Sequence, residues 1–295
     1  MSGQLRLRVC GMTHPGRVRS ENQDRFVAAD LEARGAILDG GEEEVRPGPR
    51  GVLLVVADGM GGEAAGGLAS EIAVDRILDR MVEGAQDGEA TLSIQGDPRH
   101  FAGRLKRAVE EANLFIHRHS EENPAFRGMG TTVTAAGVLQ DELFLAQVGD
   151  SRAYLVREGE TVQLTRDQSL LQHLLDSGQI TEEEAERSER RNVILQALGP
   201  SPTVNVDLTV QRVRRGDALV LCSDGLSGLV RREEIGRLVA EDRNLEEVCS
   251  DLIALANGRG GPDNVTVLLA RFEGPGFLDP HDGDRMGHQS FPVDG

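Results

Sequence analysis

Five aspartates in this sequence stand where an apolar run ends or begins. Asp58 closes VLLVVA and precedes Gly59, Asp224 closes ALVLCS and precedes Gly225, and Asp150 follows FLAQVG. Asp263 precedes Asn264 and the run VTVLLA, and Asp24 follows the polar SENQ and precedes RFVAA. An aspartate at the end of a buried strand leaves the apolar core and reaches into a solvent-filled cleft, and a neighbouring glycine lets backbone approach a ligand or turn sharply. Any one of them reads most simply as a cap or turn residue, because Asp-Gly is a common turn signal. Five together, two in near-duplicate apolar–Asp–Gly form, weaken that reading and open a carboxylate metal site as the alternative. If they converge, their like charges need cations, and hard divalent ions such as Mg²⁺ or Mn²⁺ take oxygen ligands and water.

The stretch VVADGMGGEAAG (55–66) admits three readings: a phosphate-cradling loop, a plain turn or a metal site. GMGGEAAGG lacks the Lys-Ser/Thr end of a P-loop, and Asp58 at its mouth repels phosphate unless metals neutralise it. The spacing of Cys10, Cys222 and Cys249 is not that of a zinc site. Cys222 has no CxxxxxR loop around it and reads as a structural strand cysteine. His117 and His119 fall near a helix end, where surface or cap roles are expected. His173 faces substrate or solvent, spacing supports no role for His14, and Met12, Met60 and Met129 need no sulfur chemistry.

The elements that must position these residues are legible in outline. The 295 residues, 39% apolar, suit one large domain or two small ones. No run of apolar residues is long enough for a membrane span, and the N-terminus is too short in its apolar part for a signal peptide. Three cysteines build no disulfide framework and fit a reducing, cytoplasmic setting. A net charge of −17 argues against non-specific nucleic-acid binding, and 3% aromatics without Trp disfavour a stacking platform.

Val52–Ala57 reads as a buried strand from its β-branched content and the glycines that follow. Ala69, Ile72, Ala73, Ile77 and Met81 predict a helix, and Leu105, Ala108, Val109, Ala112 and Phe115 or Ile116 a second over about 101–119. TTVTAAGVL, ELFLAQVG and RAYLVREG read as three strands. The polar breaks at Gln140–Asp141 and Asp150–Ser151 predict tight turns between antiparallel neighbours. The acidic segment from Leu31 to Arg50 is expected to be a long loop or hairpin excursion. SLLQHLLDSG looks helical with Gly178 ending it, and Thr181 with Glu184 offers a capping box. Residues 166–191 therefore suit a mobile helical flap. One charged helical stretch is expected from Arg232 to about Asn257, then a last strand ending near Phe272. From Gly274 onward, Gly, Pro and Asp predict a disordered or loosely packed tail, 274–295.

Taken in order, VRSENQD, DGMGG, GMGTT, GDSR, SDG and GPDN resemble the motif set of the protein phosphatase 2C family, also called PPM, and its bacterial stand-alone branch most of all. The similarity runs from about Thr13 to Arg271. It implies an α+β fold: a four-layer α-β-β-α sandwich with two central, mostly antiparallel β-sheets and a dinuclear metal site at one edge. It implies a catalytic domain over 1–273 that hydrolyses phosphoserine and phosphothreonine monoesters in proteins by metal-activated water, reversing serine/threonine kinase signalling without a phosphoenzyme. Arg19 matches the contact to substrate phosphate, and Asp24, five positions later, matches a metal ligand. Asp58 matches the carboxylate bridging two ions, the Gly59 carbonyl a backbone ligand, and Asp224 and Asp263 the remaining ligands. Asp150 with Asp224 matches a third-metal site, and Gly130–Thr131 a structural motif. The implied cofactors are two Mn²⁺ or Mg²⁺ ions, with a third at that additional site.

Two positions depart from the family pattern. Gln23 stands where an acidic residue is frequent, so a carboxamide replaces a charge. Met60 stands where many eukaryotic members carry a histidine, and a thioether is no general acid. The alternative is a catalytically weak phosphoprotein-binding regulatory module that kept the site. The expected partners are phosphoserine or phosphothreonine proteins, among them a serine/threonine kinase or an anti-sigma antagonist, with no nucleic acid or membrane and a monomeric chain.

Overall fold

A computed structural model of the chain describes residues 5–38, 41–62, 65–83, 96–186, 188, 190 and 193–293. The strands in chain order are β1 (Arg6–His14), β2 (Asp24–Asp30), β3 (Gly35–Ala36), β4 (Glu43–Val45), β5 (Val52–Met60), β6 (Gly130–Thr131), β7 (Val133–Leu139), β8 (Glu142–Val148), β9 (Arg152–Arg157), β10 (Glu160–Gln163), β11 (Asp207–Arg212), β12 (Ala218–Cys222) and β13 (Val265–Glu273). The helices are α1 (Ala65–Glu83), α2 (Pro98–Glu122), α3 (Leu170–Asp176), α4 (Glu182–Glu186), α5 (Asp224–Ser227), α6 (Arg232–Val239) and α7 (Leu245–Gly258).

One sheet runs β10-β9-β12-β13-β1-β4 and the other β11-β8-β7-β5-β2-β3, with β6 added against the end of β5. The pairings are antiparallel. Three apolar layers explain the stacking. Leu53, Val55 and Ala57 of β5 face α1 and α2, together with Ala73, Ile77, Leu105 and Ile116. Val52, Leu54 and Val56 face the opposite sheet, where they meet Leu219, Leu221, Leu268 and Ala270. Val220, Cys222, Val267 and Leu269 cover the outer side of that sheet against Ile235, Val248 and Leu252 of α6 and α7. Both faces of β5 are thus buried, which is why VLLVVA is a continuous apolar run and not an alternating one. The expected four-layer α-β-β-α architecture is present.

Helix α2 begins where Asp97 caps the Arg99 N–H and Pro98 occupies the first turn. Helix α3 is capped by Ser169, and Gly178 follows it at φ 67°. The Thr181–Glu184 capping box forms in both directions and starts α4. Below these helices, residues 168–170 and 193–195 pair through Leu170 N to Val193 O and Leu195 N to Gln168 O, which closes the base of the flap. Residues 187, 189, 191 and 192 of this region lie outside the described residues. The three cysteines are free and buried. Among the described residues no helix is long and apolar enough to cross a membrane.

Three expectations need correction. The Gln140–Asp141 break is a hairpin between β7 and β8, but the Asp150–Ser151 break is a crossover: β8 lies in one sheet and β9 in the other. Gly149, at φ 103°, makes that exit, and a Cβ there would lie 2.6 Å from Thr132 Cγ2. The stretch after Arg232 is two helices, because Asn244 caps a new start with its side chain on Glu246 N. Residues 274–293 are a packed strap and not a loose tail. Phe277 is buried against Phe272, Phe291 meets Phe144 edge-on, and Arg214 clasps Asp284 through two nitrogens. Backbone bonds from Val210 N to Gln289 O and Phe291 N to Leu208 O lay the strap along the edge strand β11. Composition missed it because a few aromatic and charged anchors carry the packing within a polar segment.

Candidate active site

In the β2–β5 register, Asp24 stands opposite Asp58. Alternation decides where both point. Val52, Leu54 and Val56 face the gap between sheets, so Asp58 does also, and Asp24 follows the same parity through Phe26 and Ala28. Asp224 opens α5 directly after β12, and Asp263 precedes β13, so the other sheet delivers its acids to the same edge. The paired Asp-Gly sequences have a common cause. A Cβ on Gly59 would lie 2.2 Å from the Gly66 carbonyl oxygen, and one on Gly225 would lie 1.8 Å from that of Asn264. Each glycine lets a second segment cross tightly over a strand end, leaving its aspartate at the cleft.

The backbone of Asp58 is held from the Gly130–Thr131 motif and the residue after it. Thr131 Oγ1 and Thr132 N donate to the Asp58 carbonyl at 2.8 Å each, and Asp58 N donates to Thr132 Oγ1 at 3.1 Å. Thr132 Oγ1 in turn meets Ser151 Oγ at 2.8 Å, tying Asp58 to the β8–β9 crossover that carries Asp150. Asp24 is fully buried. Its Oδ2 accepts from Ser223 Oγ at 2.8 Å and Thr266 Oγ1 at 2.7 Å, while its Oδ1 has no partner. Asp150 Oδ1 is likewise buried without a partner.

A cavity of about 800 Å³ opens at this edge. Arg19, Asp58, Gly59, Asp224 and Asp263 line it, whereas Asp24 and Asp150 are buried outside its wall. Arg19 is exposed and donates from Nη2 to Asp263 Oδ2 at 2.8 Å. Gln23 also lines the cavity, and its Nε2 donates to the Gly62 carbonyl at 2.7 Å, bracing the glycine loop. Asn264 pins the Arg19 segment, donating to the carbonyls of Pro15 and Glu21 and accepting from Gln23 N.

The carboxylates sense one another. Burial, then the charges of Asp24, Asp224, Asp150 and Asp263, push Asp58 well above the usual carboxylate range. Burial raises Asp24 to about 6 against the opposing bonds from Thr266 and Ser223. Burial, then Asp224 and Asp167, raise Asp150 to about 7. Asp224 is raised by burial and by Asp263, against the opposing influence of Asp58, Arg152 and Arg19. Such a cluster is short of positive charge, and its unfilled oxygens suit a hard cation. Among the described residues no three His, Cys, Asp or Glu side chains converge closely enough to form a metal shell by themselves. Backbone oxygen and water would therefore complete the coordination.

Every residue expected at the site falls at this edge of the sandwich. The histidines do not line the cavity: His14 Nδ1 accepts from Gly16 N, His117 Nδ1 meets the Gly199 carbonyl, and His119 stacks between Phe115 and Phe126. Cys222 is a core residue. Sequence reasoning passed over Thr132, Ser151, Ser223, Asn264 and Thr266. All lie in or beside the quoted motifs, but their roles depend on partners far away in the chain.

A family model for protein phosphatase 2C matches residues 44–260. A serine/threonine phosphatase of Listeria monocytogenes is 36% identical over 257 residues, covering 87% of this chain and 92% of that protein. The crystal structure of Mycobacterium tuberculosis PstP/Ppp, a serine/threonine phosphatase, superposes with a TM-score of 0.73 at 35% identity, covering 94% of this chain and 100% of that one. The catalytic domain of PstP in complex with two manganese ions superposes with a TM-score of 0.72 at 36% identity, covering 91% and 99%. With these matches and the convergence of its motifs at one edge of the sandwich, the chain belongs to the protein phosphatase 2C family.

Proposed function

We propose that Arg19 receives the phosphoryl group of a phosphoserine or phosphothreonine side chain in this cavity, and that Asp58, the Gly59 carbonyl, Asp24, Asp224 and Asp263 hold two divalent ions beside it. As a member of its family the chain is a metal-dependent protein serine/threonine phosphatase. The observation that carries the site reading is the meeting of Asp58, Asp224 and Asp263 with Arg19 in one cavity, backed by buried, partnerless oxygens on Asp24 and Asp150. The two manganese ions of the PstP catalytic domain support Mn²⁺, and an all-oxygen donor set suits Mg²⁺ equally. Asp150 with Asp224 is the place for a third ion.

When bound, such ions supply Lewis acidity that brings a water toward ionisation near neutral pH and offsets phosphoryl charge. The chain's own groups do the rest. Arg19 offers a planar fork of N–H donors suited to phosphoryl oxygens, and Asp263 restrains it from one side. Thr131 and Thr132 fix the backbone of Asp58, and Ser223 and Thr266 fix Asp24. Met60 lines the cavity but carries no transferable proton, so the departing side-chain oxygen takes its proton from water. The single catalytic domain and its flap would accept a phosphorylated segment of a protein such as a kinase or an anti-sigma antagonist.

Release of phosphate from a phosphoserine peptide in Mn²⁺, abolished by chelator and in Asp58→Asn, is the expected result. Metal-dependent peptide binding without release would return the chain to the non-catalytic reading. Full activity in a folded Asp58→Asn protein would overturn the site.

A further inference from the structure

Away from the cleft lie three neighbouring arginines that form no ion pair among the described residues. Arg50 lies just before β5, at the end opposite Asp58, and eight residues of strand put roughly 26 Å between them. It is 8% exposed, and its Nη2 donates to the Val82 carbonyl at 2.6 Å. Its Nε is buried with no partner. Next to it, Gly51 runs close to Phe101: a Cβ there would lie 3.4 Å from the ring. The Arg104 guanidinium sits 5.5 Å from the centroid of that same ring, and its Nε too is buried without a partner. His100 and Arg107 lie four residues before and three after Arg104, on one face of α2.

The lack of an ion pair sets the buried Arg50 apart from the other buried arginines among the described residues, Arg157 and Arg214. Arg8, Arg152, Arg157, Arg214 and Arg259 are all paired with carboxylates. Among the described residues Arg50, Arg104 and Arg107 form no ion pair. Burial, then Arg50 and Arg107, push Arg104 down to about 10, and burial, then Arg104 and Arg107, lower His100 against the opposing charge of Asp97. Guanidinium groups taken out of water with donors left unsatisfied are costly unless an anion meets them.

We propose that Arg50, Arg104 and Arg107 form a second anion site, remote from the cleft, that binds a phosphate dianion. Several neighbouring guanidinium forks match the oxygens of a tetrahedral oxyanion better than those of a single carboxylate. The dianion has two sources: free orthophosphate, or a second phosphorylated residue on a protein substrate. This site stands independently of the catalytic reading, since it shares no residue with it.

The test is calorimetric titration of orthophosphate into the full chain with Mg²⁺ present. Wild type is expected to show two binding events. Arg104→Gln and the exposed Arg107→Gln should each weaken one of them about tenfold while leaving hydrolysis of a small phosphomonoester unchanged. Arg19→Ala should weaken the other. Tighter binding of a doubly than a singly phosphorylated peptide, with the gain lost in Arg107→Gln, assigns the anion to the substrate; no such gain assigns it to free phosphate. A single event that disappears in Arg19→Ala, or two events unaffected by both α2 variants, would overturn the proposal.

Discussion

Thr266 Oγ1 of β13 donates to Asp24 Oδ2 of β2 at 2.7 Å, across the gap between the two sheets. Ser223 joins from the end of β12. With Oδ2 anchored twice from the opposite sheet, the partnerless Oδ1 of Asp24 has one orientation open to it. Thr266→Val keeps the shape and removes the donor. A hydrogen bond to a charged group is worth about 1.5–3 kcal/mol, so Mn²⁺ affinity measured by calorimetry should fall about tenfold or more. Thr266→Ser should restore it. Unchanged affinity in a folded Thr266→Val protein would remove Thr266 from the site.

Asp58 is buried in the acidic cluster, where the charges of Asp24, Asp224, Asp150 and Asp263 raise it further. Asp58→Asn keeps its size and its backbone bonds to Thr131 and Thr132 while removing the charge. Turnover of a phosphoserine peptide in Mn²⁺ should drop by a factor of about a thousand or more, with the loss in kcat and in bound metal.

Arg19 is exposed and touches the cluster through Asp263 alone. Its removal should therefore spare the fold and act on substrate capture. Arg19→Ala is expected to raise KM for phosphopeptides about tenfold or more, consistent with the loss of charge-assisted bonds to phosphate. A KM that stays fixed while kcat falls would place the phosphate elsewhere.

Metal-free protein should respond to pH in a defined direction. Asp24 and Asp150 are raised to about 6 and about 7 in the fold, above their unfolded range. Between about pH 4 and pH 7 the folded chain then holds more protons than the unfolded chain. Stability in chelator is full at the acid end of that window and falls as pH rises through it. Saturating Mn²⁺ should remove the decline. Denaturant melts at several pH values, with and without metal, check both limbs, and stability rising with pH in chelator would contradict the burial of these groups.

The strap after β13 makes a prediction that a loose tail does not. Phe277 is 1% exposed and packs edge-on against Phe272. Phe277→Ala should cost about 3 kcal/mol or more of unfolding free energy in a denaturant titration. A change within a few tenths would restore the reading drawn from composition.

Many of the individual elements, and the residues that gather at one edge of the sandwich, were legible because their signals are local. Apolar periodicity marks α1 and α2, the double burial of β5 leaves a continuous apolar run, and the motifs name Arg19, Asp24, Asp58, Asp150, Asp224 and Asp263 by order alone. The sequence by itself determined which residues could do the chemistry. Tertiary structure alone decided which sheet each strand joins. A break such as Asp150–Ser151 looks like a hairpin turn whether the chain pairs back or crosses over, because pairing is settled by contacts with strands far away in sequence. The same holds for Ser223 and Thr266, whose small hydroxyls carry no signal until Asp24 is brought across from the other sheet. It holds also for Phe277 and Phe291, whose polar surroundings hide them until a groove exists to receive them.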